Sequence, residues 1–337
     1  GHLHGRPEDS LHAERHQGRV QGCDIVNSPG LAPGYSISLR NGVQSLAIFS
    51  SLHDQYRILE QRLKFYRCHG YRLDLEDPRS FNEKIVWRKI FDRNPLFPQV
   101  MDKLGARSYV KKTLGKEGEE ILIPLLLVTE GPADIPFELL PEEYIVKPNH
   151  GSGWYVIVGH EKRVPREEII KQGRKWLRKT YGKSKMEWAY RNIQPRIMVE
   201  KLLRNRQGRL ASDFKFHVFN GKVEWVFVMH DRFGSRSAAR YLRDFSRMDS
   251  GPTSCKRAKD ISEPENFGKM LEIAEKLGRP FDYIRVDLYN VEGAIYFGEF
   301  TLYPASGLNP MEKAMDFRMG EKWDLDRQFA RDFRPWF

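Results

Sequence analysis

Cysteine is scarce in this chain of 337 residues, and its scarcity excludes two classes of small domain. The three cysteines, Cys23, Cys68 and Cys255, are odd in number and far apart, so they offer neither a disulfide framework nor the paired spacing of a zinc ribbon. Long hydrophobic runs are missing too, since a run such as 121–128 is far shorter than the ~20 residues that a membrane-spanning helix needs. No secretory signal is visible, and we expect a cytoplasmic protein without a membrane span.

Positive charge, in contrast, is in excess. Lysine and arginine number 56 against 45 aspartates and glutamates, which gives a formal net charge of +11. Such an excess predicts an anionic partner, and composition alone leaves it open among nucleic acid, nucleotide, acidic glycan and membrane surface. Hydrophobic residues make up 40% and aromatic residues 12% of the chain, which is enough for a packed core and excludes global disorder.

Hydrophobic patterning divides the chain into regions. Residues 1–42 show no apolar periodicity, and we expect them to be irregular. Residues 43–101 carry helical patterns, and from about residue 102 helical and strand patterns alternate. With the chain length, this arrangement predicts two or three packed lobes of helices and strands that follow a helical N-terminal region.

Local signals predict individual elements within these regions. Proline or glycine ends several helical patterns, and at Gly278 we expect the left-handed cap that often terminates a helix. The predicted helices cover 81–95, 102–115, 165–182 and 265–280, and the predicted short strands cover 144–148 and 196–203.

A first hairpin is predicted around Asn220-Gly221, which lie between two alternating runs and are typical of a type I′ turn. With these two residues in the turn, Phe219 pairs with Lys222. One set of side chains then forms a predicted core face: Phe214, Phe216, Val218, Val223, Trp225 and Phe227. The other set mixes charged and apolar side chains: Asp213, Lys215, His217, Glu224, Val226 and Val228. Such a mixed face is typical of a ligand cleft and equally of a half-exposed sheet.

A second hairpin carries acidic residues on both strands. A three-residue loop at 291–293 places Arg285 opposite Glu299 and Asp287 opposite Phe297, whereas a two-residue loop would turn Glu299 into the apolar face and is rejected. Asp287 and Glu299 then become diagonal neighbours with Cα atoms ~7–8 Å apart. Carboxylates at this spacing can converge on one Mg²⁺. A cross-strand ion pair with Arg285 explains the same pattern.

A glycine-rich loop follows the predicted strand 144–148. Gly151, Ser152 and Gly153 could close backbone N–H groups around a phosphate, and Lys147 could hold its ammonium group over the same site. The loop matches neither the dinucleotide-binding fingerprint nor the P-loop. An ordinary turn explains the glycine-rich loop equally well when the loop is considered alone.

Several such motifs occur in a defined order. Asp102-Lys103, the KPNHGSG loop, Glu-Lys-x-Leu at 200–203, Asp213 with Lys215, Arg-x-Asp at 285–287 and Glu-x-Thr at 299–301 follow one another along the chain. This order resembles the ATP-grasp superfamily of carboxylate–amine ligases. The segments FNEKI, DRNP, PRIMVEKLL and RVDLYNVEGAIYFGEFTLYPASG are similar to its teichuronopeptide-biosynthesis (TupA-like) branch, and the resemblance covers about residues 70–310.

The resemblance implies an ATP-grasp fold, in which two α+β lobes clasp ATP. It divides the chain into a lid subdomain at 102–202 and a catalytic core subdomain at 203–337, after the irregular segment and the helical region. It also implies that the reaction uses ATP and Mg²⁺.

The resemblance further implies a role for each matched residue. Groups that bind the nucleotide are Lys103, Lys147 and Lys215 with the loop Gly151, Ser152 and Gly153 at the phosphates, Glu200, Lys201 and Leu203 at the adenine, and Asp213 at the ribose. The implied Mg²⁺ ligands are Asp287, Glu299 and Thr301, of which Thr301 stands where the family pattern usually has Asn. The implied catalytic residues are Arg285, which would stabilise the acyl phosphate, and Arg232, which would bind the substrate carboxylate.

These roles imply an ATP-dependent carboxylate–amine ligase that forms an amide through an acyl phosphate. The implied acceptor is an acidic sugar, an amino acid or a peptide in surface-polysaccharide assembly. One alternative is a kinase that phosphorylates a sugar or another hydroxyl at the same ATP site. A second alternative is a non-catalytic basic protein that binds nucleic acid through aromatic residues such as Trp154, Tyr155 and Trp176. That alternative ranks low because Asp287 and Glu299 would repel a phosphate backbone. The sequence does not choose the amine, the acceptor or the oligomeric state.

Overall fold

A computed structural model describes residues 52–160, 163–230, 237–248, 256–258 and 261–331. The segment predicted to be irregular, 1–42, lies outside the described residues, and so does Arg232. Helices and antiparallel sheets together confirm the expected α+β fold. None of the helices in the described ranges combines the length and the hydrophobicity that crossing a bilayer requires.

Eight α-helices occur within the described residues. They are α1 (Leu52–His69), α2 (Phe81–Phe91), α3 (Leu96–Met101), α4 (Lys103–Leu114), α5 (Lys116–Glu120), α6 (Arg166–Leu177), α7 (Phe267–Gly278) and α8 (Lys313–Gly320). Short 3₁₀ turns lie at Pro132–Asp134, Phe137–Leu139, Lys183–Lys185, Trp188–Tyr190 and Pro304–Gly307.

The strands form two sheets. The first sheet has the order β1-β4-β2-β3 and consists of β1 (Leu125–Thr129), β2 (Tyr144–Pro148), β3 (Val156–Val158) and β4 (Ile197–Lys201). The second sheet has the order β10-β9-β5-β6-β7-β8 and consists of β5 (Ser212–Phe219), β6 (Lys222–His230), β7 (Ser237–Leu242), β8 (Lys256–Arg257), β9 (Tyr283–Val291) and β10 (Ala294–Thr301). Neighbouring strands are antiparallel except β7 and β8. The division into lid and catalytic subdomains stays a prediction.

Sequence signals explain where the helices α2 and α4 begin. Ser80 and Glu83 form a capping box at the start of α2, in which each side chain accepts a backbone N–H from the other residue. Asp102 caps α4 by accepting the N–H of Leu104 at 3.0 Å, and Gly115 ends this helix at a φ of 62°. The N-terminal cap of α4 fixes its first residue, Lys103, whose backbone N–H donates to the carbonyl of Asn149, directly after β2.

The end of α7 differs from the prediction. Gly278 is the last residue of the helix and Arg279 follows with a right-handed φ of −52°, so the predicted left-handed cap is wrong. A Cβ atom at position 278 would lie 2.5 Å from Cγ1 of Val218 on β5. Glycine is therefore needed here because α7 packs closely on the second sheet, and not because the backbone turns.

The first hairpin has the predicted turn but a different register. Asn220 and Gly221 both have positive φ, and Phe219 pairs with Lys222 as predicted. An irregularity between His217 and Val218 then leaves Glu224 without a partner in the ladder. As a result, His217 pairs with Trp225. The register corrects both predicted faces. Trp225 and Phe227 share the face of Asp213, Lys215 and His217, whereas Val226 and Val228 join Phe214 and Phe216 in the core.

The second hairpin also corrects the prediction. Its turn has two residues, Glu292 and Gly293, both with positive φ, and Val291 pairs with Ala294. A bulge between Phe297 and Glu299 then shifts the register by one residue. As a result Glu299 lies opposite Asp287 and Thr301 opposite Arg285, so the predicted diagonal arrangement is replaced by direct pairing.

The edge strand β10 joins the second sheet to the segment that leads into the first. Phe297 bridges Leu122, and its backbone N–H donates to the carbonyl of Ile121 at 2.7 Å. Just beyond this bridge, the carbonyl of Pro124 accepts the N–H of Lys201 at 3.0 Å. These bonds hold β10 close to β4, and a crevice lies between them.

Candidate active site

The crevice between the two sheets brings together four residues that the sequence predicted. Lys103 enters it from α4, Lys147 from β2, Glu200 from β4 and Glu299 from β10. The remaining lining residues were not predicted: Val100, Met101, Ala106, Arg107, Tyr190, Phe297, Gly298 and Phe300. The crevice therefore has three cationic groups, two carboxylates and an apolar wall.

Lys103 connects the glycine-rich loop with Glu299. Its backbone N–H donates to the carbonyl of Asn149 at 2.9 Å, and its ammonium group donates to the carbonyl of Gly151. The same ammonium nitrogen lies 3.9 Å from a carboxylate oxygen of Glu299. Burial lowers the pKa of Lys103, although the charge of Glu299 acts against this effect. The side chain is thus held at the point where loop and carboxylate meet.

Lys147 is paired with Glu200. The ammonium nitrogen of Lys147 lies 2.6 Å from Oε2 of Glu200, and Nη1 of Arg107 lies 3.4 Å from its Oε1. Arg107 also donates to the carbonyl of Ile123 at 2.9 Å, which fixes the guanidinium group. The buried carboxylate of Glu200 therefore contacts two cations, one of which, Arg107, is anchored by the backbone.

The predicted adenine contacts at the end of β4 are restricted by the backbone. The N–H of Lys201 already donates to the carbonyl of Pro124, so it is not available to a ligand, and the side chain is exposed. Leu203 lies two residues beyond and is half-buried.

The glycine-rich loop has the backbone conformation that needs glycine. Gly151 and Gly153 have φ values of 89° and 73°, and Ser152 between them is exposed. A Cβ atom at Gly151 would lie 2.8 Å from the ring of Tyr181. The loop is thus packed tightly on an aromatic side chain on one side and contacts Lys103 on the other.

Asn149 anchors this loop and was not predicted as a site residue. Its amide group donates to a carboxylate oxygen of Asp102 at 2.8 Å and to the carbonyl of Gln194 at 2.9 Å, and its Oδ1 accepts the N–H of Arg196 at 2.7 Å. The side chain is buried. Asn149 therefore ties the start of α4 and the segment leading into β4 to the loop.

Four charged residues form a buried ion cluster on the second sheet. The ammonium nitrogen of Lys215 lies 2.5 Å from Asp213 and 2.6 Å from Asp287. Arg285 donates from Nε and Nη2 to the two oxygens of Asp287 at 2.6 and 2.7 Å. Burial alone would raise the pKa of Asp287, but the charges of Arg285 and Lys215 outweigh it and lower the pKa to about 2. Asp287 is therefore ionised at every physiological pH.

His217 lies next to this cluster on the same face. Burial lowers its pKa well below the ordinary value, and the charge of Arg285 adds to the effect. Its Nδ1 lies 3.1 Å from the hydroxyl of Tyr283, and its ring stacks on Trp225 at 4.9 Å. We conclude that His217 is neutral and packed, so it adds no positive charge to the face.

The carboxylates of Asp287 and Glu299 fit a Mg²⁺ that is shared with a nucleotide. An ionised carboxylate offers about four lone-pair positions, and Asp287 uses three for Arg285 and Lys215, so one remains on Oδ1. Glu299 is about a quarter exposed and faces the crevice. Within the described ranges, no group of three or more His, Cys, Asp or Glu side chains is arranged around a metal position. Two carboxylates suit Mg²⁺, which usually takes its other ligands from phosphates and water.

A second cavity of about 280 Å³ adjoins the loop. It lies between Trp154 and the segment 179–185, and the rings of Trp154 and Tyr181 are 5.1 Å apart. Tyr181 in turn contacts Tyr190, a lining residue of the crevice, at 4.7 Å. The other residues that line the second cavity are polar or small: Lys179, Thr180, Gly182, Ser184 and Lys185.

Sequence reasoning missed two further arginines at the site. Arg107 lies four residues after Lys103 on α4, and this helical spacing could have placed both on one face. Arg240 lies on β7 opposite Phe227, buried on the face that carries Lys215, and nothing in its local pattern distinguishes it.

Solved structures that resemble this chain include two described as ligases and one described as a synthetase. A D-alanine–D-alanine ligase from Bacillus anthracis in complex with ATP is 17% identical over 64% of this chain and 59% of that chain, with a TM-score of 0.38. An L-amino acid ligase from Bacillus licheniformis is 13% identical over 70% and 53%, with a TM-score of 0.40. An N5-carboxyaminoimidazole ribonucleotide synthetase from Thermus thermophilus is 11% identical over 60% and 45%, with a TM-score of 0.35. The chain thus spans less than two thirds of the length of each of these proteins.

Sequence comparison identifies the family. No curated protein sequence matches the chain. Residues 83–324, well over half of the chain, match the model of the TupA-like ATP-grasp family. This match confirms the resemblance read from the order of the motifs, and the chain belongs to the TupA-like ATP-grasp family.

Proposed function

We propose that the protein is an ATP-dependent carboxylate–amine ligase that forms an amide through an acyl phosphate and releases ADP and phosphate. The observation that carries this proposal is the convergence of Lys103, Lys147 and Glu299 on one crevice, with Asp287 directly opposite Glu299 on the next strand. Cations beside paired carboxylates suit a nucleoside triphosphate with its Mg²⁺, because phosphoryl transfer depends mainly on positioning and on neutralising charge.

The lysines would hold the phosphates by exchanging partners. Lys147 is paired with Glu200 in the crevice, and a phosphate oxygen would replace that carboxylate. Glu200 would keep its contact with Arg107 and would become available to the exocyclic amine of adenine. Lys215 donates two of its three N–H bonds to Asp213 and Asp287, and one is left for a phosphate.

The metal position would be supplied by Glu299, by the remaining lone pair of Asp287 and by the hydroxyl of Thr301. Mg²⁺ bound there supplies neutralisation of the phosphate charge. Threonine is a neutral ligand, so we propose that the two carboxylates contribute most of the metal affinity.

Arg285 would act on the acyl group. Its guanidinium group has five N–H donors, of which Asp287 accepts two, so three remain for an oxygen that becomes negatively charged when the amine attacks. Loss of one such donor typically costs ~3–4 kcal/mol of transition-state stabilisation. Asp287 would hold the guanidinium plane, and Arg232 remains the predicted ligand of the substrate carboxylate.

We place the acceptor at the second cavity. The proposed acceptor is an acidic sugar, an amino acid or a peptide in surface-polysaccharide assembly. Trp154 and Tyr181 offer flat faces to a ring, and Lys179 and Lys185 offer charge to a carboxylate. The cavity adjoins the glycine-rich loop, so an acceptor bound there would lie near the phosphates.

ADP release with Mg²⁺, measured across a panel of amino acids and uronic acids, tests the proposal. We expect ADP release that depends on both the carboxylate and the amine. The variants Asp287→Asn and Lys147→Ala should abolish this release. Lys111→Ala, an exposed lysine on α4, is the matched control and should retain turnover.

Product analysis separates the ligase from the kinase. A ligase yields an amide and free phosphate only when the amine is present, whereas a kinase yields a stable phosphoester without it. Turnover that is undiminished in Asp287→Asn would contradict the metal assignment.

A further inference from the structure

Helix α1 presents a stripe of large apolar side chains to solvent. Tyr56, Leu59, Leu63 and Tyr66 are 65%, 52%, 49% and 52% exposed. Their spacing of three, four and three residues places them on one face of the helix. Together they form a continuous apolar surface, which we call the α1 stripe.

The α1 stripe is not what attaches the helix to the protein. The opposite face of α1 carries Ile58, Gln61 and Phe65, which are buried. Ile58 and Phe65 pack in a cluster with α2, and Gln61 accepts a hydrogen bond from Lys89 on α2 at 2.9 Å. The helix is therefore anchored by one face, and among the described residues nothing covers the stripe.

The charge around the stripe is mainly positive. Gln55, Arg62 and Arg67 are the exposed polar residues interleaved with it. Over residues 55–69 the single acid is Glu60, which lies at the edge of the face within 4 Å of Arg57 and Lys64. The stripe thus carries apolar groups and uncompensated positive charge.

Positive charge continues beyond the helix. The guanidinium group of Arg57 donates to the carbonyl of Lys183 at 2.8 Å, which places the segment 183–185 beside the first turns of α1. Lys183 and Lys185 are both exposed. The segment 183–185 therefore adds positive charge beside the helix.

We propose that the α1 stripe docks on an anionic lipid bilayer. Leucine side chains gain by entering a hydrocarbon phase, tyrosines favour the boundary with the headgroups, and arginines pair with lipid phosphates. An acidic glycan would satisfy the arginines and leave the leucines in water. A second copy of the chain would cover the leucines and bring Arg62 and Arg67 of two molecules together. The bilayer matches both properties, the exposed apolar side chains and the positive charge.

Flotation of the full chain with vesicles tests this proposal. We expect binding to vesicles of phosphatidylcholine with phosphatidylglycerol, little binding to phosphatidylcholine alone, and weaker binding at high salt. Leu59→Ser with Leu63→Ser should lower the partition coefficient by at least about tenfold, because two half-exposed leucines no longer enter the bilayer. Arg62→Gln with Arg67→Gln should lower it roughly tenfold on the anionic vesicles.

Leu139→Ser is the matched control, since Leu139 is 79% exposed and lies on the 3₁₀ turn Phe137–Leu139, outside α1. It should leave the partition coefficient unchanged. Equal binding to both vesicle types, or no binding to either, would overturn the proposal. So would a concentration-dependent dimer, seen by sedimentation velocity, that the leucine variant dissociates. ADP release in solution does not involve the stripe, so this proposal and the proposed ligase activity can fail separately.

Discussion

Asp287 lies directly opposite Glu299 across the β9–β10 pair, and Gly298 is the residue that places it there. The two-residue turn at 292–293 would by itself set Glu299 opposite Val286, on the apolar face of the sheet. The extra residue in β10 restores the alternation, so that both carboxylates share one face. The geometry of the proposed metal site thus depends on one bulge.

Gly298→Val should strongly reduce ATP turnover while the protein remains folded. A Cβ atom at this position would lie 3.0 Å from the ring of Tyr289 and 3.1 Å from the carbonyl oxygen of Asp287. The branched side chain would displace β10 and with it Glu299, and we expect kcat to fall at least about tenfold because small misplacements at a reacting centre are costly. ADP release at saturating ATP measures kcat, and thermal unfolding measures the stability.

Gly293→Ala is the control in the same hairpin. Gly293 has a φ of 89°, but a Cβ atom there would meet nothing within 4 Å. The strained backbone should cost about 1 kcal/mol of unfolding free energy and leave turnover intact. Equal losses of turnover in both variants would mean that the hairpin as a whole matters, and not the bulge.

Much of this hairpin could be predicted from the sequence, and the bulge could not. Alternation placed Arg285 and Asp287 on one face because side-chain direction has a period of two along a strand. The bulges at Glu224 and Gly298 break that period with one extra residue each, and the alternation of side chains does not show where an extra residue falls. The register errors at both hairpins have this common cause.

Some of the site residues could likewise be predicted from the sequence, and others could not. Lys103 and Lys147 were predicted because each belongs to a short motif whose neighbours are adjacent in sequence. Asn149 lies within the same loop motif, but its partners, Asp102 and Arg196, are 47 residues away on either side. Only the folded chain shows that it connects them.

Asp287 should make the stability of the protein dependent on pH in the acid range. Its pKa is about 2 in the folded protein, below the ~3.9 of an unperturbed aspartate. A pKa that is lower in the folded than in the unfolded state stabilises the fold above the unfolded pKa, and this contribution is lost as pH falls towards the folded value. We expect the unfolding free energy to lose about 2 kcal/mol from this group between about pH 5 and pH 2. Urea unfolding at a series of pH values measures it.

In the Asp287→Asn variant, the unfolding free energy should lack this acid-dependent contribution. The variant should also be less stable at neutral pH by roughly 3–5 kcal/mol, because Lys215 and Arg285 then remain buried without their shared counter-charge. Asp77→Asn, at an exposed carboxylate, is the control and should change stability by less than ~0.5 kcal/mol. An unchanged acid dependence in Asp287→Asn would show that the cluster does not set the pKa of this residue.

Asn149→Ala should weaken nucleotide binding through the loop that it anchors. The variant leaves the carbonyl of Gln194 and the N–H of Arg196 without their partner, at a cost of ~1–3 kcal/mol for each buried group. The loop and Lys103 would then be less well positioned, so the Kd for ATP should rise together with the loss of stability. Isothermal titration with ATP and Mg²⁺, alongside urea unfolding, measures both quantities.

Asn149→Asp provides the sharper comparison. It keeps the oxygen that accepts the N–H of Arg196, but its second oxygen would face the carboxylate of Asp102 at a position where the amide now donates at 2.8 Å. We expect it to be at least as damaging as alanine at neutral pH and to recover as the pH falls and the carboxylates take up a proton. An aspartate variant that binds ATP like the wild type would exclude the anchoring role.

Gly278→Ala tests why glycine ends α7. If the close approach to Val218 is the reason, the added Cβ at 2.5 Å from Cγ1 should cost roughly 1–3 kcal/mol of unfolding free energy through overpacking. The same change in a Val218→Ala background should cost much less, since the clashing methyl groups are gone, and a double-mutant cycle measures this coupling. Gly268→Ala, in the first turn of the same helix with no atom within 4 Å, should instead stabilise the protein by about 0.5–1 kcal/mol. If Gly278→Ala proved as favourable as Gly268→Ala, the contact between α7 and β5 would not be what requires glycine at this position.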